Sequence, residues 1–147
     1  MIVIADSNLF ISGLYTPNGV IATIIKTESK IQFLAPDFIF EEINNHINEI
    51  MIVTKKSKKD LKQILNLLTK NVSIIEISKI PLVHINAAIE IVKDIDIDDT
   101  FFVALHLFKK HKIWTTDKPL RDGLILKGYD ICISTTELKT KIYKKNR

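Results

Sequence analysis

Asp6 ends the short apolar run Ile2-Val3-Ile4-Ala5 and is followed at once by Ser7-Asn8. Further carboxylates recur in separate places: Glu42 on a helical stretch, the cluster Asp96, Asp98 and Asp99, and Asp117 at the end of Trp114-Thr115-Thr116-Asp117. Asp6 and Asp117 both stand just past apolar, strand-like runs. In an open parallel sheet such strand ends gather along one edge, where ligands bind. Carboxylates brought together there repel one another unless a positive charge sits among them, and a divalent cation is the natural candidate.

Each acid also has an ordinary explanation. Asp6 suits the N-cap of the turn that follows, and Asp117, ahead of Lys118-Pro119, suits a helix cap. Asn8 is placed to orient Asp6 by hydrogen bonding, as outer groups do around metals, and Thr116 holds a similar place beside Asp117. Helix geometry separates Glu41 from Glu42. At about 100° per residue, Glu41 points away from the Ile39, Ile43, Ile47, Ile50 stripe while Glu42 flanks it. Of Asp98 and Asp99, one is expected to cap the helix that begins beside them. The other lacks that role, and the dipole at a helix N-terminus favours an ionised Asp99. Asp96 is either an outer ligand or solvated. All the ordinary explanations holding together, in separate elements of one small chain, is the harder reading.

The remaining reactive residues offer less. His46, His84, His106 and His111 show no paired metal spacing, Cys132 lies in an apolar run, and Ser7 has no evident histidine partner for nucleophilic chemistry. With four glycines there is no glycine-rich phosphate loop.

The elements that must position the acids follow from periodicity and punctuation. Residues 2–5 read as a buried strand. Pro17 is expected at the first position of a helix reaching Thr27, with Ile21, Ile24 and Ile25 on one face. Residues 31–35 read as a second strand, and Pro36-Asp37 open the helix of the isoleucine stripe. Ser57 caps a helix carrying Leu61, Ile64, Leu65 and Leu68. Residues 72–77 form a strand, placed at an edge, which Pro81 follows with a helix bearing Ile85, Ala88, Ile89 and Val92. Residues 100–110 are apolar nearly all round and predict a central, buried helix. A strand at 113–115, a helix from about Lys118 to Leu126, a turn at Gly128, a strand at 131–134 and a terminal helix capped by Thr136 complete the chain. The alternation predicts an α/β three-layer sandwich, its central parallel sheet of about four to five strands flanked by helices.

Composition sets the limits. The chain has 147 residues, 46% of them hydrophobic and 26% charged, which fits one folded domain over 1–147 rather than a disordered chain. No apolar run approaches a membrane span, no secretory signal is seen, and the lone Cys132 fits a reducing compartment, so cytoplasm is the expected location. The net charge of +4 is unevenly placed. Lys55, Lys56, Lys58, Lys59 and Lys62 form one basic cluster, residues 109–112 another, and the tail from about 139 a third. Such patches attract polyanions, although a lysine-rich helix end is by itself usually only solvated.

Taken in order, Ile4-Ala5-Asp6-Ser7-Asn8, Ala35-Pro36 through Glu42-Ile43, Asp96-Ile97-Asp98-Asp99-Thr100-Phe101-Phe102-Val103-Ala104-Leu105 and Trp114-Thr115-Thr116-Asp117-Lys118-Pro119-Leu120, with Lys127-Gly128-Tyr129 after them, resemble a PIN-domain protein from Met1 to about Leu138. The resemblance implies a parallel sheet flanked by helices, and acids that bind Mg²⁺ or Mn²⁺ for hydrolysis of RNA phosphodiesters. By motif position Asp6, Glu42, Asp99 and Asp117 carry over as that quartet, with Asp96 as a fifth acid. The tandem Asp98-Asp99 leaves the choice open by one position, and His106 stands where relatives often carry a small residue. The implied function is endoribonuclease action on single-stranded RNA by metal-activated water, with Lys118 or Lys55, Lys56, Lys58 and Lys59 holding the backbone. Many relatives are toxins neutralised by a small antitoxin protein; a homodimer is also open. Two alternatives come from other classes, a non-catalytic RNA-binding scaffold and a Mg²⁺-binding receiver-like signalling domain. The second should show paired acids after its first strand, where this chain has Asp6-Ser7.

Overall fold

The computed structural model describes residues 1–144. Its strands are β1 (Ile2–Ala5), β2 (Gln32–Pro36), β3 (Val72–Ile75), β4 (Ile113–Trp114) and β5 (Cys132–Ile133). They form one sheet in the order β3-β2-β1-β4-β5, with every neighbouring pair parallel. Among the described residues eight α-helices flank it: α1 (Ser7–Tyr15), α2 (Val20–Thr27), α3 (Phe38–Thr54), α4 (Lys58–Thr69), α5 (Leu82–Val92), α6 (Thr100–Lys109), α7 (Lys118–Leu126) and α8 (Thr135–Lys144). The fold is the expected α/β sandwich.

β1 sits at the centre because its residues are apolar on both faces, as a strand covered by helices on both sides requires. Val3, Ile4 and Ala5 are fully buried. Its register pairs Val3 with Phe33 and Ile4 with Leu34 on one side, and Ala5 with Trp114 on the other. The chain runs from β1 outward through β2 to β3, then returns to the other side of β1 for β4 and β5. The strand order therefore reverses between β1 and β4, and the crevice beyond their C-terminal ends is where open α/β sheets bind ligands. α6, central as expected, buries Phe102, Val103, Ala104 and Leu105 and packs against α5 and the sheet. His106 closes its C-terminal end through a 2.7 Å hydrogen bond between Nδ1 and the His111 carbonyl.

Several local expectations need correction. α1 has no counterpart in the periodicity reading. Its Gly13 resembles a breaker, yet it lies where α4 comes close, and an added Cβ would stand 2.8 Å from Leu68 Cδ1. Pro17 does not begin a helix. It occupies the second position of a Thr16-Pro17-Asn18-Gly19 turn closed by Gly19 N–H donating to the Thr16 carbonyl at 2.9 Å, a place where its fixed φ is equally at home. α2 starts after it, at Val20. β3 is an edge strand as read, but it ends at Ile75, and Ile77 N–H is taken by Asp37 Oδ1 at 3.0 Å. The terminal helix is capped by Ser134 rather than Thr136. Ser134 Oγ accepts from Glu137 N–H at 3.1 Å while Glu137 Oε1 accepts from Ser134 N–H at 3.3 Å, a reciprocal capping box. The basic tail is described as far as Lys144, on α8, and its last three residues lie outside the described region. No helix among the described residues is long and apolar enough to cross a membrane.

Candidate active site

Asp6 follows β1 directly, and its backbone N–H donates to the Trp114 carbonyl of β4 at 3.1 Å. The residue thus sits at the reversal of strand order. Its side chain is 3% exposed and caps nothing, although Asp6 occupies the N-cap position of α1. Oδ2 instead accepts a 2.6 Å hydrogen bond from Thr115 Oγ1. The same threonine oxygen accepts from the Asp117 N–H at 3.0 Å. One hydroxyl therefore ties the acid after β1 to the acid after β4. Asp117 is half-buried and does cap α7, with Oδ1 accepting from Leu120 N–H at 3.1 Å. Its ordinary role is real and uses one oxygen.

Glu42 lies near the start of α3 and points back to α1, where Ser7 Oγ donates to Glu42 Oε1 at 2.5 Å. Ser7 is buried at the first position of α1, so it serves as an anchor for an acid. Asp99 is also drawn inward. It precedes α6, is 7% exposed, and its Oδ2 is the one buried side-chain polar atom among the described residues with no hydrogen-bond partner. The expectation that Asp98 or Asp99 caps α6 is not met by either side chain. Asp96 does the local capping, its Oδ1 accepting from Asp98 N–H at 3.0 Å, and Asp98 is exposed. With its acceptors unused by the backbone, Asp99 is available to something else.

The four acids feel one another. Burial pushes the Asp99 carboxyl up to about 8, helped by the charges of Asp6, Asp96, Asp117 and Glu42. Glu42 is raised to about 7 by burial, with Asp6, Asp98 and Asp96 adding to the rise and the Ser7 hydrogen bond opposing it. Asp6 is raised by burial and by Asp117, against the hydrogen bond from Thr115. Desolvation and like charge act in the same direction here, and perturbed carboxyls of this kind concentrate in functional clefts.

Asn8 and Thr116 are exposed, and neither side chain hydrogen-bonds these acids among the described residues; Ser7 and Thr115 hold them instead. Lys118 stands beside Asp117 at the rim of a cleft, with no ion-pair partner among the described residues. The Lys55, Lys56, Lys58, Lys59 group is elsewhere. Lys55 ends α3 in the left-handed conformation, φ 57°, and Lys58 and Lys59 begin α4. At 1.5 Å per residue, Lys55 is about 20 Å along the α3 axis from Glu42. The structure brings the acids together and leaves this cluster apart.

Among the described residues no three His, Cys, Asp or Glu side chains are gathered closely enough to enclose a metal ion. A fully built cage is not what Mg²⁺ needs. It keeps several waters and is commonly held by one or two carboxylates plus substrate oxygens. An all-oxygen set that includes a buried, unpartnered Asp99 Oδ2 among mutually repelling acids fits such an ion.

A family model described as the PIN domain matches residues 4–139. No curated protein matches the chain. PIN domains are generally nucleases, and those nucleases generally use divalent metals. The matched span takes in the second half of β1, all of β2 to β5 and every acid described above. The chain belongs to the PIN-domain family.

Proposed function

We propose that this PIN domain is a Mg²⁺- or Mn²⁺-dependent endoribonuclease acting on single-stranded RNA, with Asp6, Glu42, Asp99 and Asp117 as its working acids. The observation that carries the reading is Asp99, a buried carboxyl whose Oδ2 has no hydrogen-bond partner and which feels the charges of Asp6, Asp96, Asp117 and Glu42. A protein without a cationic ligand gains nothing from that arrangement, because like charges at close range are destabilising. Asp96, on the loop ahead of α6, is an outer fifth acid.

An ion bound among these oxygens supplies positive charge for a phosphodiester and acidifies a water for hydrolysis. The chain's own groups define where this happens. Thr115 fixes Asp6 and the Asp117 backbone in one relative position, so two donors approach from the ends of two adjacent strands. Ser7 holds Glu42 against them from α3. With a carboxyl near 7, Glu42 can take up or release a proton close to neutral pH, as proton transfer to a phosphodiester's leaving oxygen or from its attacking water requires. Lys118 offers a cation for the backbone beside the acids.

If the protein is the toxin of a toxin–antitoxin pair, a small inhibitory partner completes the picture, and a neighbouring gene for a small DNA-binding protein is its mark. The activity itself is tested with the purified protein and a labelled single-stranded RNA. Internal cuts with Mg²⁺ or Mn²⁺ that stop in EDTA support the reading. RNA binding without cutting under any divalent metal replaces it with a scaffold.

A further inference from the structure

A cleft of about 500 Å³ opens between α7 and α8, and Thr115 and Asp117 form part of its wall. It is therefore continuous with the acids, on the β4–β5 side of the sheet. Resting on the nuclease reading above, we propose that this cleft holds one ribonucleotide of the RNA, next to the phosphate that is cut, and that its hydroxyls give the enzyme a base preference at that position.

Charge argues for a nucleotide rather than a stretch of phosphates. Lys118 and Arg121 are offset by Asp117 and Asp122 on the same walls, and Arg121 is already paired with Glu137. A cleft balanced in this way would repel a run of phosphates at its acids as much as attract it at its bases. Among the described residues Lys118 is the lining cation without an ion-pair partner, which suits one phosphate. The cleft is roomy enough for one nucleoside and is not enclosed, so a strand can pass through it.

Beside the charged residues and Thr115, the lining is made of Thr116, Ser134, Thr135 and Thr136, all hydroxyl-bearing. A hydroxyl has one hydrogen to give and two lone pairs to receive. Ser134 Oγ already accepts from Glu137 N–H at 3.1 Å, and Thr135 Oγ1 accepts from the buried Trp114 indole at 3.0 Å. Both are engaged as acceptors, and among the described residues neither hydroxyl donates. Each keeps its hydrogen for an outside acceptor. A base edge rich in carbonyl and ring-nitrogen acceptors matches that donor set, while the threonine methyls offer an apolar surface to its face. Thr115 differs: it donates to Asp6 and accepts from Asp117, which leaves it no hydrogen for a ligand.

The test separates this cleft from the activity of the acids. In EDTA, each of the four 5′-ribonucleoside monophosphates is titrated into ¹⁵N-labelled protein. Amide shifts confined to Thr116, Lys118 and residues 134–136 are expected, larger for one base than for the others. In parallel, wild type, Thr116→Val and Thr136→Val cut a randomised single-stranded RNA in Mn²⁺. Both positions are exposed, so neither change should unfold the chain. Wild type should prefer certain bases on one side of the cut, and each variant should flatten that preference by about two- to tenfold, the scale of one net hydrogen bond. RNA cutting with no flanking preference, or nucleotide shifts that avoid the cleft, overturns the proposal and leaves the nuclease reading standing. A wild type that cuts no RNA overturns both.

Discussion

Replacing Asp99 by Asn removes an ionisable group at nearly constant volume, and its effect on the metal-free protein follows from the raised carboxyl. Unfolded, Asp99 has the ordinary value of 3.8; folded, it is held at about 8 by burial and by the surrounding acids. Folding therefore takes up a proton, and stability falls as pH rises from about 4 to about 8, levelling off above. At pH 7 the difference between 7 and 3.8, at 1.36 kcal/mol per unit, costs the folded state about 4 kcal/mol. Asn escapes that cost. Its buried amide, placed where Oδ2 finds no partner, returns about 1–2 kcal/mol of desolvation. The net gain is about 2–3 kcal/mol, or roughly 6–9 °C in melting temperature for a chain of this size. The assay is a thermal melt in EDTA at several pH values. The variant should melt above wild type at pH 7 and 8, and the gap should close towards pH 4. Adding Mn²⁺ should then stabilise wild type, by about 2.7 kcal/mol at a hundredfold excess over Kd, and the variant much less. A variant that melts at or below wild type at every pH, beside a wild type blind to Mn²⁺, refutes the reasoning.

Thr115→Val should reduce RNA cleavage by about 10- to 100-fold, the usual effect of losing a group that orients a metal ligand, while Thr115→Ser keeps most activity; single-turnover rates compare them. Ser7→Ala should raise the Glu42 carboxyl further, because it removes a hydrogen bond that lowers it, and the change is readable by NMR titration of the side chain. Since a metal must displace protons held up to about 7 and about 8, Mn²⁺ should bind more weakly at pH 6 than at pH 8, as calorimetry would show. If the remote lysines guide RNA, changing Lys55, Lys56, Lys58 and Lys59 to Gln should leave kcat unchanged and lower the slope of log affinity against log salt by about 0.7 per lost contact. An unchanged slope would assign them to solvent.

Much of the fold was legible because its cues are local. The unbroken apolar run before Asp6 marks a strand buried on both faces, and the all-round apolar helix at Thr100 marks a central one. α1 has no counterpart among the elements read from the sequence, and the role of its Gly13 as a contact point exists only because α4 lies beside it. Pro17 misled because the same fixed φ serves a helix start and a turn. The acids were legible as a set, but their supports were not. Ser7 looked like a nucleophile lacking a partner, and its partner is an acid 35 residues away. Thr115 reaches Asp6 across 109 residues, a pairing that only the adjacency of β1 and β4 creates. Which of Asp96, Asp98 and Asp99 turns inward depends on the turn geometry before α6, where Asp96 takes the cap and frees Asp99.

On the proposed function, the acids at the reversal of strand order, between β1 and β4, cut RNA. Its most direct test is the single-turnover cleavage rate of one labelled single-stranded RNA in Mn²⁺, for wild type, Asp6→Asn and Asp99→Asn, each checked by melting to be folded. Each variant should lose at least about 100-fold, the scale of removing one key electrostatic group, and EDTA should abolish the wild-type rate. Full activity in either folded variant, or an undiminished rate in EDTA, would contradict it.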